Sequence, residues 1–144
     1  MITTKNIHKL KMTSEITYKG GLRCECIHIQ SGTTIETDAP TDNKGKGEKF
    51  SPTDLLCVSL ATCIVTTMAI NAESRGINLI NTKLSVQKHM ASDPRRIKQI
   101  DVVLNLAKLD NENDQQLLER IGNACPVKKS LHADMEVNIS YIWS

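Results

Sequence analysis

Aromatic side chains are nearly missing from this sequence: its 144 residues hold one Phe, one Trp and two Tyr. So few rings cannot build the base-stacking platform that single-strand nucleic-acid binders use. An excess of one charge is lacking too. Eighteen Lys and Arg stand against 16 Asp and Glu, a formal +2, which leaves no basic footprint for a nucleic acid. The opening stretch MITTKNIHKLKM has basic residues but no apolar run behind them, so no secretory signal is legible and the chain reads as cytoplasmic. No internal repeat, low-complexity run or domain-scale linker interrupts residues 1–144, and that length suits a single domain. Five cysteines are an odd count, and in a reducing compartment they are not expected to form a permanent disulfide framework. They are either small buried hydrophobes or reagents.

What the chain does possess is one long apolar stretch, Phe50 to Ala72 (FSPTDLLCVSLATCIVTTMAINA). It opens with helix-start chemistry. Ser51 is suited to the N-cap, Pro52 to the first helical position, and Asp54 follows the cap by the capping-box spacing. Asp54 also sets a negative charge at the positive end of the helix dipole. No further charge appears before Glu73, and the polar residues between are small: Ser59, Thr62, Thr66, Thr67. A helix without a charged face is expected to be buried on nearly all sides. Its hydroxyl content argues against a membrane span, which needs about 20 predominantly apolar residues.

Around this helix the remaining pattern is α+β. Thr13–Tyr18, Leu22–Gln30 and Thr33–Thr37 are short strand candidates. Gly20-Gly21 and Ser31-Gly32 divide them as turns, which predicts an antiparallel meander. DAPTDNKGKGEK, residues 38–49, has turn residues and no periodicity and reads as a loop; Gly45 and Gly47 lack the context of a phosphate-binding loop. The helix should end near Arg75-Gly76. Leu84, Val86 and Met90 share one strand face, and Ile100, Val102, Leu104 and Leu106 another, with ASDPRR as the turn of a long hairpin. Asn113–Asn123 predicts a short amphipathic helix with Leu117, Leu118 and Ile121 on one side. Val137, Ile139, Tyr141 and Trp143 alternate as a final strand. No βαβ nucleotide unit is legible.

Cys63 stands in the middle of the apolar helix, among Leu56, Ser59, Leu60, Thr67 and Ile70 on one face. It is either core filling or a rigidly held thiol; burial alone raises a thiol pKa, so reactivity there requires a cation or donors. Cys125 precedes Pro126 and so falls at the N-cap of a new helical turn. Free N–H groups there, with Lys128 and Lys129, favour a thiolate, unless the residue merely ends a loop. Cys24, Cys26 and His28 alternate along one strand, with Leu22 on the same face. Their spacing matches no common zinc site, so no metal is expected. Cys57 reads as core. His8, His89 and His132 have no acidic partner at recognisable spacing, so Ser–His–Asp chemistry has no local support.

Taken together, FSPTDLLCVSLATC at 50–63 and CPVKKSLH at 125–132 resemble the OsmC/Ohr family of small thiol-dependent proteins, and the strand order and the TDAP…GKGE loop fit as well. The resemblance implies an intertwined α+β homodimer in which antiparallel sheets pack around a central buried helix. A second copy would supply the cover that one chain of this size lacks. It implies reduction of an organic hydroperoxide, with Cys63 as the peroxidatic thiolate and Cys125 as the resolving thiol. A sulfenic acid forms on Cys63 and condenses with Cys125 to a disulfide. A dithiol reductant, of lipoyl type in the Ohr branch, then reopens it. No cofactor is implied. An Arg assists the thiolate in that family, and Arg23 is its nearest counterpart here. Ohr-type members carry a Glu directly after the helix-starting Pro, where this sequence has Thr53. That departure favours a second reading on the same fold, a non-enzymatic module binding a small ligand; a redox sensor is a third, since it needs the same two thiols.

Overall fold

The computed structural model describes residues 11–144. His8 and the rest of residues 1–10 of the opening stretch lie outside them. The described chain forms two compact units that meet in sequence at Pro52 and Thr53.

The first unit is a meander of three antiparallel strands: β1 (Ser14–Gly20), β2 (Arg23–His28) and β3 (Thr34–Asp38). The register aligns Ile16, Cys26 and Ile35 in one cross-strand row and Tyr18, Cys24 and Thr37 in the next. All six therefore share one face, because side chains alternate along a strand. That face is open: Ile16, Tyr18 and Ile35 are 59%, 63% and 49% exposed. Cys24 and Cys26 are half-buried beside them, and His28 is exposed with its Nδ1 2.6 Å from Ser31 Oγ. Among the described residues no group of three His, Cys, Asp or Glu could hold a metal ion. The 38–49 segment is more ordered than a bare loop. It holds a 3-10 turn at Thr41–Asn43, and Gly47 donates its N–H to the Ala39 carbonyl. Gly45 passes so close to the same carbonyl that a side chain there would collide with it.

The second unit is built on the apolar helix, α1 (Pro52–Glu73). Beside it lies a three-stranded sheet of β4 (Lys83–Ser92), β5 (Arg95–Leu106) and β6 (Glu136–Trp143). Two helices, α2 (Glu112–Asn123) and α3 (Pro126–Ser130), precede β6. One side of α1 (Cys57, Leu60, Ala61, Ile64, Met68 and Ala72) forms the core with Ile97, Ile100, Val102, Leu104 and Leu106 of β5, Leu118 of α2 and Cys125. Burial of each large apolar side chain in such a core contributes about 1.5–3 kcal/mol.

Three expectations change here. The final sheet is mixed, because β5 and β6 run parallel, pairing Ile100 with Val137, Val102 with Ile139 and Leu104 with Tyr141. A parallel pair requires a crossover, and α2 and α3 supply it. The α1 helix is enclosed on one side only within a single chain: Ser59, Thr62 and Thr66 are exposed and Ile70 is 71% exposed. Finally, α1 is long and apolar enough, by length and composition alone, to cross a membrane, a test that core helices also pass.

In β4 and β5 the hairpin is as patterned. Leu84 faces Leu104 and Val86 faces Val102, with a register shift between His89 and Met90. Lys98 is the extra residue of that bulge, which keeps both Ile97 and Ile100 pointing into the core. Between Val86 and Met90, the inward position of β4 is Lys88.

Candidate active site

The second unit brings Cys63 and Cys125 together, although 61 residues separate them in sequence. Cys63 sits half-buried on α1, with Thr67 Oγ1 3.9 Å from its sulfur. Cys125 is fully buried at the N-cap of α3, where its sulfur accepts the Lys128 N–H at 3.5 Å. Cys63 packs against the core cluster that contains Cys125, near enough to act on its thiol, and both are free. The N-cap geometry expected of Cys125 is therefore present, but it does not yield a thiolate. Burial pushes this thiol up, the Lys128 N–H opposes that, and the neighbouring Cys63 raises it further. Burial also raises Cys57, with Lys88 opposing and Asp54 reinforcing the shift. Cys57 is core, as its place on the helix suggested.

Arg23 belongs to the first unit, where it stands directly across from Asp38 in the β2–β3 register. Its Nε and Nη2 donate to the two Asp38 carboxylate oxygens at 2.7 and 2.8 Å, and Nη2 also donates to Glu48 at 2.8 Å. Asp38 is 1% exposed and additionally accepts the Glu48 N–H at 3.2 Å. The Arg23 hydrogen bonds hold its carboxyl at about 2, well below the ordinary 3.8. The same two carboxylates push the guanidinium higher still. The spacing of residues 38–49 gave no sign of this clamp, since the strand register creates it.

Thr53 has a partner the sequence did not suggest. Lys88 Nζ donates to Thr53 Oγ1 at 2.9 Å and to Asp54 Oδ1 at 2.7 Å. A signal was available: in the β4 alternation of Leu84, Val86 and Met90, position 88 is the one inward step that is not apolar. A lysine there must find a polar partner on the core side, and the first turn of α1 provides it. Beside it, Thr53, Leu56, Ile97, His132 and Met135 line a cleft of about 630 Å³.

The histidines do have acidic partners, which strand pairing and turns bring to them. His89 Nε2 lies 2.6 Å from Asp101 Oδ2, on the outer face of the sheet. Asp101 also accepts the Gln99 and Asn138 amides, and these three partners hold it at about 2. His132 Nδ1 is 3.8 Å from the Asp134 carboxylate. The pair on the sheet is surrounded by amides rather than by a nucleophile, so it does not form a Ser–His–Asp set.

A family model for OsmC-like proteins matches residues 45–140, from the Gly-rich loop through both cysteine motifs to β6. The chain belongs to the OsmC-like family. A crystal structure from Psychrobacter arcticus 273-4 is 41% identical to this OsmC-like chain, covers 92% of it and 96% of its own length, and superposes with a TM-score of 0.88. That protein's name ascribes to it an osmotic stress induced and detoxification response. An organic hydroperoxide resistance protein OsmC from Legionella pneumophila is 17% identical over 92% of this chain and 98% of its own, with a TM-score of 0.67. One from Elizabethkingia anophelis, with thiocyanate bound, is 16% identical over 94% and 99%, with a TM-score of 0.71. At those identities the likeness is one of fold. Among curated proteins none matches significantly.

Proposed function

We propose that this OsmC-like chain acts in peroxide-stress defence by reducing organic hydroperoxides through Cys63 and Cys125. The placing of Cys63 against the core cluster that contains Cys125 carries the reading. Cys63, the more exposed sulfur, attacks the distal peroxide oxygen; the O–O bond breaks, an alcohol leaves with one proton, and Cys63 becomes a sulfenic acid. The Cys125 thiol then displaces that oxygen as water, leaving a Cys63–Cys125 disulfide. A dithiol reductant of lipoyl type returns both thiols by exchange, taking the disulfide onto itself. The raised Cys125 thiol suits the second role, because it stays protonated and does not compete for peroxide. Arg23 completes the proposed set as the cation supporting the Cys63 thiolate. Asp38 and Glu48 would then supply the orienting carboxylates that Thr53 cannot.

The proposed partner is a second copy of the chain. The exposed face of α1 and the open apolar face of β1–β3 both support it, since large uncovered apolar patches mark association surfaces. The five free cysteines suit a reducing, cytoplasmic compartment.

With dihydrolipoamide as reductant, the purified protein should consume tert-butyl hydroperoxide. Cys63→Ser should abolish this, and Cys125→Ser should leave a sulfenic acid on Cys63, captured with dimedone and read by mass spectrometry. Equal slow loss of peroxide by wild type and Cys63→Ser refutes the proposal. One observation favours the sensing reading instead: Arg23 is already neutralised by two carboxylates. In that case Cys63 oxidises without efficient recycling. A small-ligand module would use the cleft beside Thr53 and leave Cys63 inert to peroxide.

A further inference from the structure

Helix α2 ends two residues before Cys125, and its last turn packs against two other elements at Gly122. A Cβ built there would stand 2.6 Å from the Tyr141 hydroxyl of β6, 3.0 Å from Met68 Sδ and 3.1 Å from Met68 Cγ of α1. The first of these is closer than real Cβ atoms come and the other two are tight, so a side chain here would push Tyr141 and Met68 away from α2. Cys125 hangs from the same point, its N–H donating to the Gly122 carbonyl at 3.2 Å. One turn earlier β6 grips α2 twice through Glu119. The Tyr141 hydroxyl donates to the Glu119 carbonyl at 3.3 Å, and Trp143 Nε1 donates to its carboxylate at 2.8 Å. Met68 itself lies on α1 five positions after Cys63. The separation between the helix carrying Cys63 and the turn carrying Cys125 is thus fixed at one close contact.

We infer that Gly122, through its missing side chain, and Glu119, through its hold on β6, are positioning residues that keep Cys125 beside Cys63. The inference rests on the pairing of those two thiols, not on which oxidant they meet. Disulfides tolerate little error in sulfur placement, and a displaced pair makes a strained, more reducible bond. The Tyr141 phenol is half-buried, and that burial, with Glu119 and Cys125 nearby, pushes it up to about 12, so it stays protonated as a donor.

The test needs no peroxide. Wild type and variants are equilibrated with mixtures of glutathione and its disulfide. Here the two thiols pass two electrons and two protons to glutathione disulfide, forming the Cys63–Cys125 bond and two glutathiones. Gly122→Ala should lower the equilibrium constant for the protein disulfide by about tenfold or more, since strain raises the reduction potential. Adding Tyr141→Phe, which removes the atom 2.6 Å from the new methyl, should restore it to within about threefold, the residue of a non-additive pair. Trp143→Phe removes the shorter of the two bonds by which β6 holds Glu119, without adding bulk, and should cost about fivefold by the same logic. Folded Gly122→Ala with a wild-type constant overturns the inference, as does failure of Tyr141→Phe to rescue it. If Gly122→Ala does not fold, Trp143→Phe decides: a fivefold fall supports the inference and an unchanged constant refutes it. Wild-type glutathione equilibria without peroxide turnover would instead sink the peroxidase proposal and leave this one standing.

Discussion

At the scale of single residues, the side chains that matter most here were those the sequence marked least. Cys63 and Cys125 could be found because each has a local signature, a helix interior and a Cys-Pro start. Asp38 could not, because its partner comes from another strand, and Lys88 showed only as a charge at an inward position, with its partner on another element. Asp38 carries a pH consequence. Its folded carboxyl sits at about 2 and the ordinary value is 3.8, so the folded form binds the proton less readily. Its stabilisation is therefore whole above about pH 4 and drains as pH falls through about 2. Urea denaturation at stepped pH should show this acid limb in wild type, and Asp38→Asn should flatten it while lowering stability at neutral pH. For Lys88, 20% exposed against Asp54, the two halves of the pair should behave differently. Lys88→Met should cost less than about 1 kcal/mol, because an apolar side chain suits the inward position. Asp54→Ala, which leaves the ammonium without that carboxylate, should cost about 1–3 kcal/mol by urea denaturation.

At the scale of elements, α1 was legible from end to end. Its start at Pro52 follows the cap residue, and its end is a turn in which the Ile77 N–H donates to Ala72, past Gly76 at φ +71°. The direction of β6 was not legible, because alternation along a strand is the same whichever way the strand runs. Nor could charge absence alone say how many sides of α1 one chain covers. The two faces can be separated by substitution. Ile64 is wholly buried and Ile70 is 71% exposed in a single chain. Ile64→Ala should lower unfolding free energy by about 2–4 kcal/mol through its cavity. Ile70→Ala should do so only in proportion to any burial it gains in an assembly, which denaturation at two protein concentrations would reveal.

At the scale of the whole molecule, the proposed homodimer makes the sharpest demand. Thr62 lies on the exposed face of α1, so Thr62→Arg should leave the chain folded and weaken dimerisation by about tenfold or more, because an unpaired charge would be buried. Sedimentation velocity reads this directly, and a monomeric wild type at micromolar concentration would refute the dimer. The parallel pairing of β5 with β6 has a consequence in time as well. Residues 107–135 must emerge from the ribosome, and both short helices must form, before β6 can dock on β5. Pairing across such a separation is slow. During that interval a nascent chain already displays Cys63 while Cys125 has no fixed place. Under the proposed cycle, the newly made protein would therefore pass through a one-thiol stage, with Cys63 open to capture by any small disulfide in its surroundings, before Cys125 is placed beside it.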